Sequence, residues 1–566
     1  MSLTSYNFIF LFLPATVSGY FLLLYFKRWA ASEIWLLLSS IAFYACASLR
    51  SLAIVMPSIL FDFAIAKAFL RFPPSNVRGR TALIGVGIAT NILFLGYFKY
   101  CGFLSGIVDV LLDHNRISIA AILPLGISFL TFQKIAFLCD LAAGQITEVT
   151  LFQYLLFTLF FPRTIAGPIV HYQQIIPQLK QSRLEDVVSN IAVGFCLFSI
   201  GLFKKCIIAD NIAMVANNAL NLFPTDRPAA FVDAWTGVPA YTFQLYFDFS
   251  GYSDMALGVA RMVGVRLPMN FNSPLKATSI VDFWSRWHIT LTQFLTWYIY
   301  IPLVRRLTQA RAAQKAPLLR GPKSTPSAVA GLIGIPTGIT MLISGIWHGV
   351  GWTFVVWGLL HGLYLTINQA WRLWRPRFWK NSVSYERVMR PVGFVLTFGA
   401  VMLGLVFFRA DSLDDALSIL AGMVGLHGFA PHLAQVVGKV GYPFDWTVLY
   451  SPWSALTSLI ILFGVTTLCP NSLELMRRFQ PALDFPEAAQ QTMSAPTAHV
   501  GSTLKTDVEA RTDGTLHTFQ RGWAMVKHIA QTGLSLNRLT ATMIGLLFVL
   551  GAMAIGHTTQ FLYGAF

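Results

Sequence analysis

Apolar runs of membrane-spanning or near-spanning length recur along the chain at 7–26, 34–49, 51–69, 82–98, 117–139, 187–203, 328–346, 351–367, 391–408, 452–470 and 538–556. A helix rises about 1.5 Å per residue, so about 20 apolar residues cross a hydrocarbon core of about 30 Å. No soluble fold hides so many runs of this kind. Composition agrees: 55% of the 566 residues are hydrophobic and only 12% are charged, against about 25% charged in soluble domains. Disorder is excluded by the same hydrophobicity. The chain therefore reads as an all-α polytopic membrane protein with roughly 11–14 transmembrane or re-entrant helices. Stretches 101–112, 150–170, 231–259 and 286–304 mix apolar residues with Pro, Gly or polar groups. They read as tilted, broken or re-entrant segments, which survive only when packed inside protein.

Lysines and arginines number 41 against 25 acids, a net charge of +16. The basic residues gather in short loops between apolar runs, which is an orientation signal and not a nucleic-acid footprint. Lys27 and Arg28 follow the first run and place the amino terminus outside. Loops holding Arg305 to Lys323 and Arg372 to Arg390 read as cytoplasmic, whereas 409–451 carries one Lys after Arg409 and suits the outer side. The carboxyl terminus then lies outside as well. The first run has no basic stretch before it and is long enough to be a retained span. Six cysteines with no CxxC pair read as packed thiols, with neither a disulfide framework nor a metal site. The expected organisation beyond residue 425 is an outer loop at 426–451 and carboxyl-terminal helices over 452–566 with a polar cytoplasmic loop at about 478–535.

Eight of the eleven histidines (114, 171, 427, 432, 499, 517, 528 and 557) fall in loops or at segment ends, where solvated surface roles are expected. His288, His348 and His361 lie inside apolar, aromatic sequence. An ionisable group at membrane depth is costly and marks function by default, although one alone could be a packed, hydrogen-bonded histidine. In MLISGIWHGVGWTFVVWGLLHGLY (341–364), Gly349 and Gly351 interrupt the helix after His348, and Trp347, Trp352 and Trp357 supply bulky walls. An imidazole there can take a proton from a hydroxyl and return it. His361, thirteen residues on, reads as structural or as a helper, and not as the base. In a second segment, 268–303, Asp282 and Arg286, four apart, share a helix face near Trp284, Trp287 and His288; an interfacial helix explains the pair and the tryptophans, but not His288 entering the apolar run that follows. Gln244, Asp248 and Tyr252 repeat every four residues and form a polar stripe, read as a scaffold wall or tunnel lining. There is no P-loop, GxSxG, HExxH or dinucleotide fingerprint. The residues alone leave group transfer and proton relay both open.

The ordered segments FPRTIAGPI (161–169), FKKCIIADNIA (203–213), YFDFSGYSDMALGVARMVG (246–264), DFWSRWHIT (282–290), GIWHGVGWTFVVWGLLHG (345–362) and VFFRADS (406–412) resemble the membrane-bound O-acyltransferase (MBOAT) family, and within it the alginate-type polysaccharide O-acetyltransferases. The resemblance implies a catalytic membrane core over 1–425, a helix bundle around a central tunnel, with the catalytic histidine on His348 and its upstream polar partner on His288. Asp248, Gln244, Tyr252, Trp347, Trp352, Asp282, Arg286 and His361 are then candidates to line the tunnel. It also implies acetyl-CoA as cytoplasmic donor, no metal and no bound cofactor, and a bacterial inner-membrane setting. A periplasmic or membrane-anchored acetyltransferase partner would complete delivery to the polysaccharide. Leu295 and Thr296 stand where that branch carries an Arg-Asp pair, so acetylation of cellulose or another surface glycan is the competing reading. A transporter and a non-catalytic scaffold are the rivals of other classes.

Overall fold

The structure, a computed structural model, describes residues 1–105, 123–180, 186–221, 228–429, 452–483, 485 and 531–557. Most of the expected loops 426–451 and 478–535, and the start of the run 117–139, lie outside these residues. The described chain is built from helices: α1 (Asn7–Tyr25), α2 (Trp29–Arg71), α3 (Val77–Ser105), α4 (Ile127–Ala142), α5 (Leu151–Leu159), α6 (Tyr172–Lys180), α7 (Val187–Leu220) and α8 (Phe231–Met262). There follow α9 (Ile280–Trp284), α10 (Ile289–Leu295), α11 (Ile301–Ala313), α12 (Pro326–His348), α13 (Trp352–Phe378), α14 (Ser382–Arg409), α15 (Leu413–Met423), α16 (Pro452–Leu468) and α17 (Arg538–Met553).

Six of these, α1, α2, α3, α7, α12 and α14, are long and apolar enough to cross a bilayer, and α16 and α17 hold shorter apolar helices. The outermost helices keep large apolar side chains exposed, among them Leu11, Leu22, Leu38, Ile92 and Leu93. Lipid tails cover such a surface without penalty. The runs 34–49 and 51–69 are two arms of α2. A straight helix of its 43 residues would be about 65 Å long, twice a bilayer core of about 30 Å. Ser48, with φ −166° and ψ 100°, divides it into two helical arms, and its hydroxyl accepts the Ser51 backbone N–H at 3.1 Å.

The stretch 231–259, with its polar side chains, forms part of one continuous helix, α8. Every residue from 240 to 262 is buried, so protein surrounds this helix on all sides and its polar groups meet protein partners. It packs on α7 through glycines. A Cβ on Gly201 would come within 2.5 Å of the Gly251 carbonyl, and one on Gly194 within 2.5 Å of the Gly258 carbonyl. The seven-residue spacing on both helices brings their backbones together over two turns, the usual use of small residues at a membrane helix interface.

The segment 160–171 leaves helical geometry inside the protein, as its Pro and Gly residues suggest. Its backbone is satisfied by side chains: Phe161 N–H donates to Ser40 Oγ at 3.2 Å and Ile169 N–H to Thr290 Oγ1 at 3.1 Å. Irregular backbone at this depth needs such partners.

Gly201→Leu should separate α7 from α8. Overpacking of a tight site costs about 1–3 kcal/mol or more, so the thermal midpoint of the detergent-solubilised protein should fall by several degrees. Gly399→Leu, where an added Cβ meets nothing within 4 Å, should leave the midpoint close to wild type.

Candidate active site

His348 is the last residue of α12, and the chain turns there. Gly351 sits at φ 148°, which favours glycine, and a Cβ on Gly349 would fall 2.1 Å from the Phe354 ring. The two glycines therefore allow α13 to start directly above the imidazole. A second close approach locks the hairpin, since a Cβ on Gly345 would lie 2.3 Å from the Phe354 carbonyl.

Aromatic rings enclose the buried imidazole. Trp347, Trp357 and Phe408 have ring centroids 4.8, 5.1 and 5.3 Å from that of His348. Trp352 is not among them. It is 58% exposed and its ring meets Phe103 at 6.3 Å, because the first residue of α13 points away from the hairpin. Phe408, on α14, takes the place expected of it.

His288 faces His348 with ring centroids 6.4 Å apart. It is fully buried and holds a left-handed backbone, φ 44°, at the start of α10. A non-glycine residue in that conformation is strained and needs surrounding structure to keep it there. Asn270 provides that structure. Its Oδ1 lies 3.1 Å from His288 Nδ1 and accepts from Thr290 N and Oγ1, and its carbonyl accepts Ile289 N–H. An acceptor at Nδ1 places the His288 proton there and turns Nε2 into the acceptor. Thr290 Oγ1 in turn accepts Ile169 N–H, which ties the segment 160–171 to the histidine.

His361 lies behind Trp357 at 4.9 Å, and its Nδ1 accepts the Trp284 indole N–H at 3.3 Å. These contacts place it against the aromatic wall and tie it to Trp284 and Trp357. Asp282 and Arg286 do pair, with Nε 2.7 Å from Oδ1, yet both are about a third exposed. Arg286 Nη1 also donates to the Asn272 carbonyl at 3.3 Å, and Asp282 Oδ2 accepts Thr278 N–H at 3.3 Å. They pin the loop leading to His288.

The polar stripe of α8 divides in the same way. Asp248 bonds Lys205 at 2.6 Å, and Lys205 also bonds Asp210 at 2.7 Å, all three buried. Tyr252 hydrogen-bonds the backbone at Ala166. Gln244 is buried, and its Oε1 has no partner among the described residues. Sequence reasoning did not single out Lys205 or Asp210, although both stand in FKKCIIADNIA. Nor did it single out Asn270, for which only the turn-forming run MNFNSP was visible.

One surface expectation is corrected. His171 is partly buried, with Nδ1 2.7 Å from Asp140 Oδ2, while the Tyr298 hydroxyl donates to Asp140 Oδ1 at 2.5 Å. The pull of a buried carboxylate outweighs the loop position. His427 instead meets the Ala229 carbonyl. All six cysteines are free thiols, and no group of three or more potential metal ligands occurs among the described residues.

Comparison with known proteins decides the family. Residues 118–316 match the MBOAT, membrane-bound O-acyltransferase family, model. The chain is 38% identical over 448 residues to a peptidoglycan O-acetyltransferase of Helicobacter pylori, covering 74% of this chain and 79% of that one. This protein belongs to the membrane-bound O-acyltransferase family. It is also 35% identical over 432 residues to a probable alginate O-acetylase of Azotobacter vinelandii, covering 75% of this chain and 78% of the relative. A teichoic acid D-alanyltransferase of Streptococcus thermophilus is 29% identical over 300 residues, covering 50% of this chain and 68% of that protein. The protein is thus a multi-pass membrane acyltransferase, and its family region includes His288 with its Asn270 support.

Removing Lys205 would leave two buried carboxylates facing each other. Breaking a buried pair from one side costs about 3–5 kcal/mol. Lys205→Met should therefore give little monodisperse protein in detergent, checked by size-exclusion profile and thermal midpoint.

Proposed function

We propose that this protein is an O-acetyltransferase of a bacterial inner membrane. It takes an acetyl group from cytoplasmic acetyl-CoA and delivers it toward hydroxyls of a polysaccharide outside the cytoplasm. The observation that carries the reading is the buried His348 facing His288 inside an aromatic enclosure at a helix end. The names of two relatives, a peptidoglycan O-acetyltransferase and a probable alginate O-acetylase, support acetyl as the group and a polysaccharide as the acceptor.

In this reading His348 accepts the proton of the incoming hydroxyl while its oxygen attacks the thioester carbonyl carbon. The C–O bond forms, the C–S bond breaks, and the departing thiolate takes the proton from the imidazolium. A positioned base of this kind contributes about 10²–10⁴-fold. His288, with its proton held on Nδ1 by Asn270, offers Nε2 as an acceptor that orients the hydroxyl between the rings. The Trp357 indole N–H is buried and has no partner among the described residues. It is a donor available to the carbonyl oxygen as negative charge develops there; loss of one such donor costs about 10²–10³-fold. The aromatic walls exclude water, which would hydrolyse the thioester.

The amino and carboxyl termini lie on the periplasmic side, following the basic loops. A periplasmic or membrane-anchored acetyltransferase would receive the acetyl group where the protein does not meet the glycan directly.

Purified protein in nanodiscs with radiolabelled acetyl-CoA tests the assignment. His348→Ala, at equal folded amounts, should lower acetyl transfer by about 10²–10⁴-fold, while Trp357→Phe should lower it by about 10²–10³-fold. Supplying alginate, cellulose or peptidoglycan fragments, each with and without a periplasmic partner, separates the acceptors. Equal turnover by wild type and His348→Ala would remove His348 from the chemistry.

A further inference from the structure

The helix that carries His348 ends with Trp347 and His348 buried, and its last carbonyls need donors. Among the described residues the backbone bond that caps it is Gly349 N–H to the Gly345 carbonyl, at a long 3.4 Å. The carbonyls of Ile346, Trp347 and His348 lie beyond the last helical turn that can satisfy them. All three are reached from one place, a π-helical turn in α3 at Gly96–Tyr100. Lys99 Nζ donates to the Trp347 carbonyl at 2.5 Å and to the His348 carbonyl at 3.4 Å. The Tyr100 hydroxyl donates to the Ile346 carbonyl at 2.5 Å.

Three features set this contact apart from an ordinary helix cap. The residues involved are about 250 positions apart, so the contact couples two helices that the sequence does not connect. Lys99 is 9% exposed, and among the described residues its charge meets carbonyls and the Tyr100 and Trp347 rings, with no carboxylate. A buried ammonium with no anion is expensive, so its place at this helix end calls for a reason beyond filling space. Its sign also suits a helix carboxyl end, where the peptide dipoles leave negative charge. The π turn adds one residue to the helical circuit, which brings the adjacent residues Lys99 and Tyr100 to bear on three successive carbonyls; such turns recur at functional sites.

We propose that Lys99, assisted by Tyr100, is a positioning residue for acyl transfer: the pair grips the end of α12 and holds the His348 imidazole in register with His288. The proposal rests on His348 being the transferring base. A displacement of about 1 Å at a reacting group costs on the order of 10²-fold in rate, so a loosened helix end is felt in kcat. Substrate affinity is affected little, because neither residue needs to touch the donor.

The test compares wild type, Lys99→Met, Lys99→Arg and Tyr100→Phe as folded, full-length protein in nanodiscs. Two readouts are taken: acetyl-transfer kinetics, and hydrogen–deuterium exchange of the amides at 349–352. Lys99→Met should lower kcat by about 10–100-fold with the donor KM nearly unchanged, and should speed exchange at 349–352 but not in α7 or α8. Lys99→Arg, which keeps the charge and the donors, should recover most of the lost kcat, and Tyr100→Phe should show a smaller loss. Unchanged kcat and unchanged exchange in folded Lys99→Met would overturn the proposal. A fall in kcat that Arg does not relieve, without faster exchange at 349–352, would also overturn it, since that pattern belongs to a general packing defect. If wild type shows no acetyl transfer, the functional reading fails separately, and the exchange data still decide whether Lys99 holds the helix end. Should Lys99→Met not fold, Tyr100→Phe carries both readouts.

Discussion

A helix that stops at a buried imidazole leaves its last carbonyls without helical partners, and the site depends on how this is resolved at His348. The hairpin between α12 and α13 needs Gly349 and Gly351 to turn so sharply, and the turn leaves the carbonyls of 346, 347 and 348 pointing at α3. Lys99 and Tyr100 meet them there. The same rule governs the opposite side of the site, where irregular backbone around Asn270 and Ile169 is satisfied by side chains that also fix His288. Each histidine is held by the partner that relieves a nearby unsatisfied backbone group.

Around this pair the structure has two layers with different physics. The outer helices present leucines and isoleucines to lipid and gain little from one another beyond close packing. The inner layer, α8 against α7, achieves backbone contact through two glycine pairs and buries an ionic cluster of Lys205, Asp210 and Asp248. That cluster lies four residues from Gly201 on one helix and three from Gly251 on the other. The glycine crossing therefore fixes the separation that the ion pairs require, and a change at either would be transmitted to the other.

How much was visible in the sequence follows from the range of each interaction. Apolar runs report lipid exposure directly, so the class of protein and most span positions were legible. His348 was legible because its glycines are local, and the fixed order of short segments pointed to the family. Trp352 was misplaced because spacing alone does not say which face of a new helix a residue takes. The run 231–259 looked irregular because its polar residues face protein partners and not lipid. Asn270, Lys99 and the Asp140–His171–Tyr298 contact were invisible for a different reason. Each acts across a large sequence separation, and a lone Lys after LGYF or a lone Asn in a turn carries no local signature.

The central claim is that acyl transfer occurs between His348 and His288. The most direct test is a cryo-electron microscopy map of the protein in nanodiscs with a thioether analogue of acetyl-CoA that cannot transfer its acyl group. The account predicts that the acyl carbonyl lies by the space between the His348 and His288 rings, leaving room beside the His348 imidazole for a hydroxyl oxygen at about 3–3.5 Å from the carbonyl carbon, with the carbonyl oxygen toward Trp357. Density for the acyl end at a site remote from both histidines, with the α12 end undisturbed, would contradict it.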